Sequence, residues 1–331
     1  MPRTTLLVTG AAGFIGSHLS QALLAEGHQV VAVDNFCDYY ERSWKELNVK
    51  FVAAGGGSRF HLEELDVCDG PAMEKIISQS KPTAILHIAG MAGVRPSIEQ
   101  PAYYARVNVE GTIQVLQAAV RNNVKKFLFA SSSSVYGNRK EIPFSEDSAV
   151  NEPISPYAAS KRAGELICYT YWHLYRLPCF CFRFFTVYGP RLRPDLAIHK
   201  FTRLITQHKP IPFFGDGSTA RDYTYVDDIC AGLLSAVERC DRYRIYNLGN
   251  NRPISLTEMV HALETAIGQP AILDRQPMQP GDVEITCADI SRASAELGYQ
   301  PKTTLPEGIK KFVQWFREFG HQYKLPGEKP V

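Results

Sequence analysis

No apolar run in this sequence approaches the roughly 20 residues that a membrane-spanning helix requires, and the most apolar windows are broken by Gly, Pro or charge. The first such run, Leu6-Leu7-Val8, is too short for the core of a secretory signal and leads into a Gly-rich turn instead of a cleavage site. An excess of one charge is missing too: 36 Lys+Arg stand against 34 Asp+Glu, a formal charge of +2, with no long basic run. That balance removes the electrostatic case for a nucleic-acid partner or an anionic membrane surface and leaves small molecules. Cysteine occurs at Cys37, Cys68, Cys168, Cys179, Cys181, Cys230, Cys240 and Cys287, never as CxxC and never with His at zinc-ligand spacing. Reduced, mostly buried thiols in a cytoplasmic protein are expected, and no metal site. Internal repeats and low-complexity tracts are absent, and Gly55-Gly56-Gly57 is expected to be mobile.

What the chain does contain is alternation. Short apolar runs at Thr5–Thr9, Gln29–Val33, Arg59–Glu63, Ala84–His87, Lys126–Ala130 and Cys179–Phe184 read as buried strands. Between them, Phe14–Ala25, Pro71–Gln79, Tyr104–Arg121 and Tyr157–Tyr175 carry apolar residues at helical spacing. Strands alternating with helices of this length predict right-handed βαβ crossovers and a parallel sheet covered on both faces. After about Tyr188 the pattern loosens into Gly- and Pro-rich turns, a few short strands and terminal helices. The expected fold is therefore α/β, a Rossmann-type doubly wound parallel sheet with a smaller C-terminal α/β substrate-binding lobe. Residues 1–185, with returning segments around 222–249, are assigned to the sheet domain, and 186–221 with 250–331 to the lobe.

Thr9-Gly10-Ala11-Ala12-Gly13-Phe14-Ile15-Gly16 follows the first strand and opens the first helix, the setting a dinucleotide fingerprint requires. Gly10 permits the tight turn, Gly13 lets backbone approach a pyrophosphate, and Gly16 lets helix pack on sheet. Phe14 and Ile15 begin the helix whose N-terminus faces the phosphates. The second strand ends at Asp34, followed by Asn35, where a carboxylate can accept ribose hydroxyls and would repel a 2′-phosphate, so NAD is favoured over NADP. Asp66-Val67, at the end of the third strand, suits the adenine edge, although Asp there equally reads as a helix cap.

Strand Lys126–Ala130 runs into Ser131-Ser132-Ser133-Ser134, and a helix begins near Pro156 with Tyr157-Ala158-Ala159-Ser160-Lys161. The step from Tyr157 to Lys161 puts both side chains on one helix face. An ammonium there would stabilise a phenolate, and a strand-end Ser hydroxyl could bond the same reacting oxygen. Taken alone, Tyr-x-x-x-Lys is an amphipathic helix with a snorkelling Lys; behind a phosphate loop it reads as an acid–base pair.

Together these motifs resemble the extended short-chain dehydrogenase/reductases, and within them the nucleotide-sugar 4-epimerases, from about Thr5 to about Phe316. TGAAGFIG, SSSSVYG, YAASK, RFFTVYGP, GDGSTARDYTYVDD and PMQPGDVEITCADIS carry the resemblance, and the last two stretches with Arg193-Pro194-Asp195 are most similar to UDP-glucuronate 4-epimerases. The resemblance implies Tyr157 as base, Ser132 sharing its hydrogen bond, and Lys161 holding the nicotinamide ribose. It places Ala89, Asn108, Ser131 and Phe184 at the cofactor as well, with Gly90 where relatives have Ala. Neutral Ser133 and Ser134 stand where related dehydratases and decarboxylases carry carboxyl side chains, which favours epimerisation. Arg193 first and Arg95 second are implied as contacts of a uronate carboxylate, with Ser133, Ser134 and Thr186 as neutral donors; either Arg equally suits a plain salt bridge. Arg221, Lys200, Phe201 and Asp282 are implied for the UDP end. A UDP-glucose 4-epimerase, a UDP-glucuronate decarboxylase and a non-catalytic NAD-binding regulator remain alternatives. Homodimerisation through the helices Tyr104–Arg121 and Tyr157–Tyr175 is also implied.

Overall fold

The computed structural model describes residues 3–278 and 283–322. In chain order the first half runs β1 (Thr5–Thr9), α1 (Phe14–Ala25), β2 (Gln29–Asp34), α2 (Arg42–Gly56), β3 (Phe60–Glu64), α3 (Gly70–Ser80), β4 (Ala84–His87), α4 (Val94–Glu99), α5 (Pro101–Ala105), α6 (Thr112–Arg121), β5 (Lys126–Ser132) and α7 (Pro156–Tyr175). The second half continues β6 (Cys179–Phe184), β7 (Thr186–Tyr188), α8 (Ala197–Thr206), β8 (Ile211–Phe214), β9 (Ala220–Tyr225), α9 (Val226–Arg239), β10 (Tyr243–Leu248), β11 (Pro253–Ser255), α10 (Leu256–Ile267), β12 (Leu273–Gln276), α11 (Ser291–Leu297) and α12 (Leu305–Phe319).

Seven parallel strands form one sheet in the order β10-β6-β5-β4-β1-β2-β3. Strand order reverses between β1 and β4, which opens a crevice beyond the carboxyl ends of those strands. Both faces are buried, as a parallel sheet requires. Alternate residues of β1 and β6 feed different cores: Leu6, Val8, Phe180 and Phe182 pack on one face, and Leu7, Cys179 and Cys181 on the other. All eight cysteines are free thiols, Cys37 and Cys68 half-buried and the other six buried. No helix among the described residues is long and apolar enough to cross a membrane. Two small sheets complete the fold, β11-β9-β7 and β12-β8.

The sequence pattern misses α2 altogether. Its apolar positions are few, with Trp44 and Val52 the buried ones beside Lys45, Asn48 and Gly56. Gly55 and Gly56, expected to be mobile, form its last turn instead. Gly56 has a packing reason, since a Cβ there would lie 2.7 Å from Phe60 Cβ and 2.9 Å from Leu24 Cδ1. Between α5 and α6 the helix widens into a π-helical stretch, Arg106–Gly111, a local form associated with functional sites.

Candidate active site

The β1–α1 turn is made of close backbone approaches. Gly10 has φ +68°, and a Cβ on it would fall 2.7 Å from Ala89 N; on Gly16 it would fall 2.1 Å from Gly10 O. Thr9 Oγ1 accepts from Ala89 N at 3.2 Å and shares a 2.8 Å bond with His87 Nδ1, which fixes the end of β4 against the loop. Burial holds the His87 imidazole down to about 3, so it stays neutral. Asp34, at the end of β2, accepts backbone N–H bonds from Ala12 at 3.0 Å and Phe36 at 2.8 Å. Burial raises its carboxyl, and the Lys45 ammonium with these N–H groups works against that rise. Gly13 N–H is a third backbone donor to it, and since a carboxylate offers about four acceptor positions, one is left for a ribose hydroxyl. Glycines that cannot be larger, a helix N-terminus and an acceptor at the second strand end fit a dinucleotide.

The crevice itself is a cleft of about 390 Å³, the size of a small-molecule site. Gly10, Gly13, Phe14, Ile15, Gly16, Asp34, Asn35, Val67 and Ala89 line one end, and Ser131 through Ser134, Tyr157, Phe184, Thr186 and Arg193 the other. Ser132 caps a short 3₁₀ turn, Ser133–Tyr136, by accepting from Ser134 N at 3.1 Å. Its hydroxyl donates to Ser134 Oγ at 3.2 Å and is the hydrogen-bonding neighbour that lowers the Tyr157 phenol, which is carried on the first turn of α7 after the Ser155 cap.

Burial raises the pKa of Tyr157, and the Ser132 bond and then the Arg193 charge oppose the rise. Lys161 stands one helical turn beyond Tyr157. Its Nζ donates to Ala130 O at 2.8 Å and lies 5.2 Å from the centre of the Phe129 ring, and burial lowers it to about 8. The Arg193 charge is the one that lowers the Tyr157 phenol. Gly90 makes room for Lys161 and Asn108, since a Cβ there would lie 2.8 Å from Lys161 Nζ and 2.9 Å from Asn108 Oδ1. Asn108, inside the π-helical stretch, is locked by Met91 N at 2.7 Å and by its own bonds to Met91 O and Ser160 Oγ, both 2.9 Å.

Arg193 lines the cleft with its guanidinium 5.0 Å over the Tyr39 ring. Asp195 grips it from the other side through two bonds of 3.0 and 2.8 Å. Tyr39, Tyr40, Cys37 and Lys45 are wall residues that sequence reasoning missed. An aromatic pair just after a strand end was the only signal available for them. Asp66 sits behind the wall, accepting from Asn35 Nδ2 at 3.3 Å and Cys68 N at 2.8 Å, while Asp69 caps α3.

Other assigned residues lie apart from the cleft. Arg95 is exposed on α4 and Lys200 on α8. Phe201, expected along the uridine path, is instead a core residue, 4% exposed, because the apolar face of α8 turns inward. Arg221, half-buried on β9, donates to the carbonyls of Ala220 and Glu284 at 3.0 and 3.3 Å. Asp282 lies outside the described residues.

A family model described as GDP-mannose 4,6 dehydratase matches residues 7–312. The chain belongs to this family, a branch of the extended short-chain dehydrogenase/reductases. A UDP-glucuronate 4-epimerase of Thermodesulfobacterium geofontis is 40% identical over 94% of this chain and 96% of its own length. The structure of a UDP-glucuronic acid 4-epimerase from Bacillus cereus, in complex with UDP-glucuronic acid and NAD, superposes with a TM-score of 0.88 at 35% identity, covering 95% of this chain and 99% of that one. A UDP-glucose 4-epimerase from Thermotoga maritima with UDP-glucose reaches 0.86 at 31% identity over 95% of this chain and 99% of its own.

Proposed function

We propose that this protein interconverts UDP-glucuronate and UDP-galacturonate, with NAD as resident cofactor. The carrying observation is the make-up of the cleft. Ser132 and Tyr157 meet at its catalytic end, and among the described lining residues the only carboxyl side chain is Asp34, at the opposite, cofactor end. Elimination of water and facilitated decarboxylation both lack an acid where the reaction occurs. Epimerisation needs none beyond the Tyr157 phenol. Gly10, Gly13, Gly16 and Asp34 would hold the cofactor, which when bound supplies reversible hydride storage for carbon 4 of the sugar.

Tyr157 takes the proton of the sugar 4-hydroxyl, with Ser132 bonding the same oxygen. The resulting keto sugar would turn about its phosphate linkage so that the stored hydride could return to the opposite face of carbon 4, and Tyr157 gives its proton back to the 4-oxygen. A 4-keto-glucuronate is a β-keto acid, which loses carbon dioxide when its carboxylate stands perpendicular to the carbonyl plane. Ser133, Ser134 and Thr186 are neutral donors that can hold the carboxylate in a less reactive orientation, and Arg193 is the cation on the same wall. Arg221 supports the UDP end from the lobe assigned to 186–221 and 250–331. Leu166, Tyr169, Leu174 and Tyr175, each about half exposed or more on α7, favour a homodimer, and the cytoplasm is the location this chemistry implies.

Incubating the purified protein with UDP-glucuronate and no added NAD is expected to yield UDP-galacturonate. Conversion of UDP-glucose but not the acid would overturn the substrate assignment. UDP-xylose as product would overturn the argument from the missing carboxyl group.

A further inference from the structure

Glu165 lies on α7 two turns beyond Tyr157 and one beyond Lys161, fully buried. It does not itself line the cleft, yet it gathers four donor bonds: Ser131 Oγ at 2.7 Å, Arg183 Nε at 2.8 Å, Arg183 Nη2 at 2.9 Å and Arg162 Nη1 at 2.9 Å. Burial would raise its carboxyl, and the Arg183 pair overrides burial so that the group stays ionised. Ser131 directly precedes Ser132 and stands opposite Arg183 in the β5–β6 register, while Ser132 stands opposite Phe184. One carboxylate thus fastens the helix that carries Tyr157 to the two strand ends that carry Ser132 and Phe184. Arg183 is in turn held in place: it is 1% exposed, with its guanidinium 4.8 Å over the Tyr136 ring, and Tyr136 Oη donates to Asn247 Oδ1 of β10 at 2.7 Å.

An apolar pair of the same volume could replace a buried ion pair at little cost in stability. It could not receive the Ser131 hydroxyl. We infer that Glu165 is a positioning residue for the reaction, setting through Ser131 and Arg183 the distance and direction between the Ser132 hydroxyl and the Tyr157 phenol. The inference rests on the reading of Tyr157 as base.

Its signature is in the pH profile. The Ser132 bond is the first influence opposing the burial of Tyr157, so slackening that bond leaves the phenol higher and moves the acid limb of kcat to higher pH. The other charged or titratable groups around Tyr157 are Arg193 after β7, Tyr39 after β2, Tyr104 of α5 and Lys161 of its own helix. Around Glu165 they are Arg183 and Cys181 of β6, Tyr243 of β10 and Arg162 of α7. None of these changes in the variants chosen.

Ser131→Ala keeps the ion pair and removes only the link to β5. Expected are a folded protein, KM for UDP-glucuronate within about twofold, kcat down about tenfold at pH 7 and an acid limb about one pH unit higher. Ser131→Thr, which keeps the hydroxyl, should return the profile toward that of the parent, and Glu165→Gln should show the same displacement with a lower Tm. Unchanged profiles in Ser131→Ala and Glu165→Gln would overturn the inference, as would a fall in kcat matched fully by lost bound NAD. Tyr157→Phe is measured alongside: turnover in that variant would overturn the base assignment itself, a separate failure.

Discussion

The two ends of the cleft are built by different means. At the cofactor end the working parts are backbone: a Gly10 turn, a helix start and an Asp34 carboxylate held by backbone N–H groups. Within β1–α1–β2 their spacing is fixed by local geometry. At the sugar end the working parts are side chains from segments far apart in sequence: Tyr39, Ser132, Tyr157, Thr186 and Arg193. The first end tolerates almost no change of shape. The second can change preference by one side chain while the scaffold stays intact.

Substitutions can break that contrast. Tyr157→Phe should lower kcat about 1000-fold while leaving NAD content and UDP-sugar binding near normal, as read by turnover and calorimetry. Gly16→Ala should act on shape instead, because the added carbon would sit 2.1 Å from a backbone oxygen; a loss of at least about 3 kcal/mol in unfolding free energy, with NAD lost, is expected. Arg193→Met should raise KM for UDP-glucuronate more than tenfold, roughly the weight of a charge-assisted bond, and leave any UDP-glucose KM almost unmoved. Asp195→Asn should do the reverse, lowering KM for the uronate about twofold to fivefold by freeing the guanidinium. Equal effects on acid and neutral sugars in both variants would remove Arg193 from carboxylate recognition.

A pH-dependent effect on stability concerns Lys161. Its folded pKa of about 8 lies below the unfolded value of about 10.4, so charging the buried ammonium opposes folding below pH 8. The penalty fades as pH rises through that window, and stability from this group increases with pH. Lys161→Met should therefore raise the unfolding free energy at pH 7 by up to about 3 kcal/mol less the lost Ala130 bond, with the gap closing by pH 10. A constant gap across pH would contradict it.

The same contrast explains what the sequence made legible. Strands β1, β2, β4, β5 and β6 and the glycine turn follow from periodicity and short spacing, the Ser132/Tyr157 pair from its motifs, and the structure places the two side chains side by side. Helix α2 was hidden because it buries Lys45 and Asn48 beside its few apolar residues and ends in glycines. Tyr39 was hidden because its contact with Arg193 spans distant segments. Phe201 was misplaced for a third reason: position after Arg193 does not say which way a helix face turns. Lys161 shares a helix face with Tyr157, yet its ammonium passes on to Ala130 O, a matter of side-chain direction and not of spacing.

Strand β10 has a consequence for the chain as it is made. The edge of β6, Cys-Phe-Cys-Phe-Arg-Phe, is covered only when Tyr243–Leu248 arrives, after the polypeptide has left the large sheet to form β7, β8 and β9. During vectorial synthesis that apolar edge stays open while some sixty further residues emerge. Slower synthesis between β6 and β10 lengthens the time this edge stands unpaired, the state in which a strand can pair with another chain.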